Sequence, residues 1–258
     1  MNKHLLLKTL IFSLIFVQFS CSHKWKITDR KSDKIAIDST ADALVDSRYV
    51  DSLQIISDAM DAQLEAQIGM RLDDVVGKSA RVMKAKRPQS LLSNFASDLL
   101  RKVASKKLGK PIDIGIMNMG GLRKKIPAGN VTVRNLNELI FTENELVVIS
   151  MTGDMLQKII DSIAYKGGEG VSGIRMTIHK NKPQNVTVNG KPIDVKKTYT
   201  IATINFLANG KDGLGMNHYT SIDSTGLKLF NIFLDEFIDA TKHGKTVDAE
   251  DDVRIDTI

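Results

Sequence analysis

Two apolar periodicities alternate along this chain, and their order limits the fold more than any other feature. Apolar residues recur at helical spacing from Leu44 to Met60, continuing toward Ile68, and again in Leu91, Leu92, Phe95, Leu99, Leu100 and Val103. Short strand-like stretches come after them: Ile112 to Met117, Leu146 to Met151, Ile174-Met176-Ile178 in alternation, Val186 and Val188, and Tyr199 to Ile204. Asn189-Gly190 is a hairpin dipeptide, because both residues tolerate the positive φ that a tight two-residue turn demands. A helix is expected from Met155 to Tyr165, with Thr152 or Asp154 at its N-cap. Another is expected over Leu227 to Thr241, with Leu227, Phe230, Leu234 and Phe237 on one face and Gly244 closing it. Hairpins mixed with helical crossovers imply an α+β domain with a mixed sheet. A chain of this length can bury roughly 70% of its unfolded surface.

The first residues are unlike the rest. Lys3 and Lys8 precede a mostly apolar run from Leu10 to Phe19 that ends at Ser20-Cys21, the layout of a signal peptide over residues 1–20. That run is too short to span a bilayer, which takes about 20 residues. Cys21 is the sole cysteine, so no intramolecular disulfide can form, and its position suggests lipid attachment, although a cysteine removed on cleavage is the blander reading. The polar stretch from Cys21 to about Thr40 reads as a tether, leaving 41–258 for the domain. An exported lipoprotein of the periplasm or outer membrane is the expectation. Of the 36 basic and 30 acidic residues, seven basic and two acidic ones fall within the first 34 positions, so the remainder is close to neutral. With few aromatics besides, this argues against a nucleic-acid groove.

Several chemistries lack their residues. His179, His218 and His243 are the domain's histidines, and no Asp-x-His or Gly-Asn-His grouping offers the ligands that two bridged metal ions require. No serine sits in a Gly-x-Ser-x-Gly elbow. Gly168, Gly170 and Gly173 spell a formal G-x-G-x-x-G, but a helix precedes it and a strand follows, the reverse of a dinucleotide fingerprint, so a loop is expected there. The domain therefore reads as a binder, or as part of an enzyme.

Three groupings suit a polar ligand. Asn118-Met119-Gly120-Gly121-Leu122-Arg123 directly follows a strand, so its glycines permit a tight turn and Arg123 offers a planar fork to phosphate or hydroxyl oxygens. A glycine turn with a solvated arginine is the equal alternative. Asn144 precedes the second strand, where its amide could meet a base edge or close an Asx turn. In Asn205 to Gly213, Phe206 could stack on a flat ring and Asp212 could accept from two ribose hydroxyls, while a core phenylalanine and a turn aspartate remain the defaults.

In order and spacing, Asn118 to Arg123, Asn144 to Gly153 ending in Met151-Thr152-Gly153, Ser172-Gly173, Tyr199 to Thr203 and Phe206 to Gly213 resemble the C-terminal, substrate-binding domain of the 5′-nucleotidase family. The resemblance runs from about Leu53 to the C-terminus. It implies nucleoside binding with the base stacked between two rings, while hydrolysis belongs to an N-terminal metallophosphatase domain holding two metal ions. By that resemblance Asn118, Gly120, Gly121 and Arg123 would surround base, ribose or phosphate, and Asn144 would meet the base. Gly173 would allow close backbone approach, Phe206 would be one stacking ring, and Asp212 would hold the ribose hydroxyls. Two departures stand out. Thr142 replaces the second ring in Phe141-Thr142-Glu143-Asn144, and Lys211 replaces a glycine beside Asp212. One base–aromatic stack contributes about 1–3 kcal/mol, so its loss weakens affinity roughly ten- to a hundredfold or changes the ligand. The resemblance carries no catalytic domain with it. The expectation is a nucleotide-recognising lipoprotein with no cofactor of its own, acting with a separate metallophosphatase chain that supplies the divalent metals. A free-standing nucleoside-binding lipoprotein is the alternative.

Overall fold

The computed structural model describes residues 47–140 and 143–258. The leader, Cys21 and the tether lie outside the described residues, as do Phe141 and Thr142. The chain divides into two compact units, Met1–Ser57 and Asp58–Ile258. Of the first, only the opening turns of helix α1 (Ser47–Ile68) are described.

A five-stranded sheet organises the second unit. Its strands are β2 (Ile114–Met117), β4 (Glu145–Thr152), β5 (Gly170–Ser172), β9 (Thr198–Ile204) and β10 (Ser221–Lys228), and they lie in the order β10-β4-β9-β2-β5. β2 and β9 run parallel, with Ile114 opposite Ile201 and Gly115 opposite Ala202, while β4 is antiparallel to β9 and β5 to β2. Every residue of β2 is buried, and so are most of β4 and β9. These are the apolar runs of a sheet covered on both faces, which is why the alternation in the sequence is incomplete there.

Helix α2 (Leu91–Leu108) packs on β2, β5 and β9. Ser90 caps it by accepting from the Ser93 N–H, and Gly109 ends it with φ 63°. Helix α4 (Gly153–Tyr165) lies against β4 and β9. A smaller sheet joins β6 (Ile174–His179), β7 (Lys182–Val188), β8 (Lys191–Pro192) and β11 (Ile255–Thr257) in the order β11-β6-β7-β8. The β7–β8 turn is Asn189-Gly190, with φ 50° and 78°, as the dipeptide foretold. β1 (Val75–Ser79) and β3 (Gly129–Thr132) form a two-stranded sheet, and α3 (Val133–Leu139) follows β3. Helix α6 (Leu229–Lys242) packs on β1, α3 and α2, where Phe95 meets Phe233 edge-on at 5.6 Å and Phe237 at 6.3 Å.

The mixed α/β architecture is the one expected, with local corrections. Leu227 belongs to β10, because Thr225 Oγ1 accepts from its N–H and the strand pairs with β4 through Lys228; the helix starts at Leu229. Gly170 to Ser172, expected as loop, is strand β5, because it pairs antiparallel with β2, and Gly170 lies so close to Ser93 O and Met117 O that only a residue without a Cβ fits. Thr152 is the N-cap of α4, yet its side chain makes no capping bond, and Asp154 instead pairs with Lys158 one turn on.

The C-terminal strand is held by a buried cation. Arg254 is 6% exposed and donates to both carboxylate oxygens of Asp98, to Asp252 and to the Val171 carbonyl. Breaking a buried pair by deleting one partner costs about 3–5 kcal/mol, because the other charge is left uncompensated. Asp98 is partly exposed, so water relieves some of that cost. Phe233→Ala, which empties a fully buried site, is expected to lower the unfolding free energy by about 3–5 kcal/mol in urea titrations, and Val253→Ala, at an exposed position, by under about 0.5 kcal/mol.

Candidate ligand-binding site

Strand direction decides which loops can meet. β2 and β9 are parallel, so their C-terminal ends share one edge of the sheet, and the loops Asn118 to Arg123 and Asn205 to Gly213 leave side by side. β4 and β5 run the other way, so their N-terminal ends reach that edge: Leu146 sits opposite Ile204, and Gly170 opposite Met117. Asn144 and the Lys166–Glu169 segment therefore arrive there too. Gly173 lies at the C-terminal end of β5, beside Asp113, and so on the opposite edge. Its φ of 78° and its approach to Asp113 O explain a glycine there without any ligand.

At the shared edge Asn118 is buried and its Nδ2 donates to Asp212 Oδ2 at 2.8 Å, although the two residues lie 94 positions apart. Its Oδ1 has no partner. Gly121 makes this rotamer possible, since a Cβ there would stand 2.8 Å from Asn118 Oδ1 and 2.5 Å from Met117 Cε. Gly120 is exposed on the same turn. Asp212 adopts φ 70°, a left-handed conformation that aspartate tolerates better than most residues. Lys166, just past the end of α4, donates to Asp212 Oδ1 at 2.7 Å and to the Asp212 carbonyl. Both side chains are about a quarter exposed, 25% for Lys166 and 27% for Asp212.

Beneath this pair lies Glu169, fully buried. One carboxylate oxygen accepts the Met119 N–H at 2.5 Å and the other pairs with the Arg87 guanidinium, so the carboxylate clamps the Asn118–Arg123 turn from below. Burial pushes its carboxyl above the ordinary value, against the Met119 N–H and Arg87, which pull it down; the Asp212 charge adds a smaller upward push.

Phe206 sits on the short helix α5 (Asn205–Ala208), 41% exposed, while its neighbours Leu207 and Ala208 are buried. Asn205 Oδ1 accepts from the Phe206 and Glu145 N–H groups, which ties α5 to the start of β4. Arg123 is exposed; its N–H donates to Leu139 O, and its guanidinium reaches Ile140 O at 3.2 Å. The Asn144 carbonyl accepts from Leu229 N–H, which closes the turn before β4. Lys166 and Gly213 border an open cleft of about 690 Å³, walled by Tyr165, Asn181 and Pro183. Neither it nor a separate cleft of about 600 Å³ between α2 and α6 is lined by any of the eight candidate site residues. Among the described residues no group of three or more His, Cys, Asp or Glu side chains could hold a metal ion.

Seven of the eight residues singled out thus lie at one sheet edge. Lys166 and Glu169 were missed. Neither sits in a glycine motif or at an obvious spacing, and only strand pairing brings them in.

A model of the 5′-nucleotidase C-terminal domain matches residues 40–219. The chain belongs to this family. Protein UshA of Escherichia coli (strain K12) is 26% identical over 212 residues, 80% of this chain and 36% of that protein. UshA of Yersinia enterocolitica is 32% identical over 117 residues, 43% of this chain and 20% of that one. The chain therefore spans about a third or less of the length of these relatives. The crystal structure of a 5′-nucleotidase precursor from Thermus thermophilus shares the fold, with a TM-score of 0.65 at 23% identity over 81% of this chain and 43% of that one.

Glu169 makes one pH effect predictable. Its folded form holds the proton more tightly than the unfolded chain, whose carboxyl titrates near 4.5, so its contribution to stability is complete below that value and declines as pH rises through the raised folded value. Urea midpoints measured from about pH 4 to 7 should show this decline in the native chain and a flatter profile in Glu169→Gln. Identical slopes would remove the assignment.

Proposed function

We propose that this domain binds a nucleotide or nucleoside at the sheet edge bounded by Asn118, Gly120, Gly121, Arg123, Asn144, Phe206 and Asp212, as the recognition half of a 5′-nucleotidase-type hydrolase. The observation that carries the reading is the 2.8 Å bond between Asn118 and Asp212, which unites two loops far apart in sequence beside an exposed phenylalanine. A nucleotide needs these chemistries together: an apolar face for the base, an anionic acceptor for sugar hydroxyls and a cation for phosphate. Phe206, Asp212 and Arg123 supply them in turn. Family membership supports the same reading.

Hydrolysis is proposed to come from a separate metallophosphatase chain that brings the divalent metals, in an exported assembly where Cys21 carries the lipid anchor and residues 21–40 form the tether, in the periplasm or at the outer membrane. The balance of charge in the domain suits a small polar ligand better than a nucleic acid.

Calorimetry with AMP, adenosine and UDP-glucose tests recognition. At least one should bind, and Phe206→Ala should weaken it about ten- to a hundredfold, the loss expected of one stacked ring. No heat with any of the three would leave a surface protein that retains the fold without the ligand. A pull-down from the native membrane, assayed for metal-dependent phosphatase activity, tests the assembly. Activity that co-purifies supports a split enzyme, whereas ligand binding without it favours a free-standing binding protein.

A further inference from the structure

The geometry points to Lys166 as a specificity-determining residue that makes this site selective for a sugar carrying two adjacent free hydroxyls. The inference rests on the nucleoside reading and deepens it. A lysine just beyond a helix is ordinarily explained by the negative end of the helix dipole. Lys166 goes further, because its ammonium leaves the end of α4 and reaches the glycine loop, where Asp212 provides both of the acceptors it engages.

A donor and acceptor count shows what remains for a ligand. The ammonium has three protons, and Asp212 takes two. The Asp212 carboxylate has about four acceptor positions, of which Lys166 uses one and Asn118 Nδ2 another. One donor on Nζ is therefore left beside two acceptors on the carboxylate, with 2.7 Å between Nζ and Oδ1. Oxygens on adjacent carbons of a ring in cis arrangement stand about that far apart, close to a hydrogen-bond length. One hydroxyl would donate to Asp212 while its neighbour accepts from Lys166. The Lys166 side chain is 25% exposed, so its remaining proton can be reached but is only partly hydrated. A sugar lacking either hydroxyl forfeits a hydrogen bond to a charged group, although Lys166 and Asp212 stay paired with each other.

The pair is neutral overall, so it favours the sugar rather than the phosphate. The other charged groups nearby are Lys211, next to Asp212 in the chain, Asp161 and Lys182, which line the same cleft as Lys166, and Arg87 and Glu169, which pair with each other.

The test is calorimetry on the full chain with adenosine, 2′-deoxyadenosine and 3′-deoxyadenosine, using native protein, Lys166→Met and Lys166→Arg, with thermal midpoints to establish folding. The native chain is expected to bind adenosine about tenfold or more tightly than each deoxy analogue, in line with hydrogen bonds to charged groups. In Lys166→Met one of the two penalties should shrink to within about threefold while the other, due to Asp212, persists; Lys166→Arg, which keeps a donor, should retain both. Native protein that binds all three alike overturns the inference, as do both penalties surviving in Lys166→Met. Loss of both penalties together shows that Lys166 merely places Asp212, and overturns it as well. If the native chain binds none of the three but AMP still binds, the sugar contact fails; if AMP fails too, the nucleoside reading itself is gone.

Discussion

The parallel pairing of β2 with β9 is the constraint on which the site depends. Two antiparallel neighbours would send the Asn118 and Asn205 loops to opposite edges, and Asn118 could not meet Asp212. Parallel strands require a long crossover, and here the connection from β2 to β9 carries α3, β4, α4 and the hairpins of the smaller sheet. β4 and β5, antiparallel on either side, then return their N-terminal ends to the same edge. Chemistry at that edge is thus a product of topology before it is a product of any residue, in the manner of α/β sheets that bind ligands beyond their carboxyl ends.

Electrostatics then fix the edge in one arrangement. Glu169 is a fully buried carboxylate, costly to desolvate, and it is tolerated because it receives the Met119 N–H and the Arg87 guanidinium. That clamp sets the turn from which Asn118 reaches Asp212. Asp212 in turn holds a left-handed backbone conformation, fastened by Asn118 on one oxygen and Lys166 on the other. Among the described residues, Asn118 Oδ1 is one of two buried side-chain atoms without a partner, the other being Asn94 Oδ1, and Asp212 is one of five non-glycine residues at positive φ.

The strongly periodic elements were legible in the sequence: α2, α4, α6, β6, β9 and the Asn189-Gly190 turn all declare themselves through apolar spacing or turn chemistry. β1, β3, β10 and β11 do not. β10 reads Ser-Ile-Asp-Ser-Thr-Gly-Leu-Lys, mostly exposed, and its strand character comes from pairing with β4 rather than from a buried face of its own. β11 has a single buried residue, Ile255, and depends on the Arg254 cluster and on Gln89, which accepts from the Arg254 and Ile255 N–H groups. For the site, the glycine-bearing loops were visible because backbone turns leave a composition signature. Lys166 and Glu169 were not, because a salt bridge between distant residues leaves none. Gly173 stood out among the family-like residues, yet its tight fit against Asp113 gives it a structural task at the other edge.

The balance between stacking and polar contact follows from these placements. Phe206 offers one exposed ring on a four-residue helix, and Thr142 stands where the family places the other. A single stack contributes about 1–3 kcal/mol, too little for a micromolar complex, which needs about 8. The difference has to come from charged hydrogen bonds, and those available belong to Asp212, Lys166 and Arg123. On the proposed reading, a site with this division of labour would tolerate different flat rings on Phe206 and read the sugar and its substituents closely. Selectivity would then reside in the contacts that hold Asp212, one from Asn118 of the loop motif and one from Lys166, which no loop motif contains.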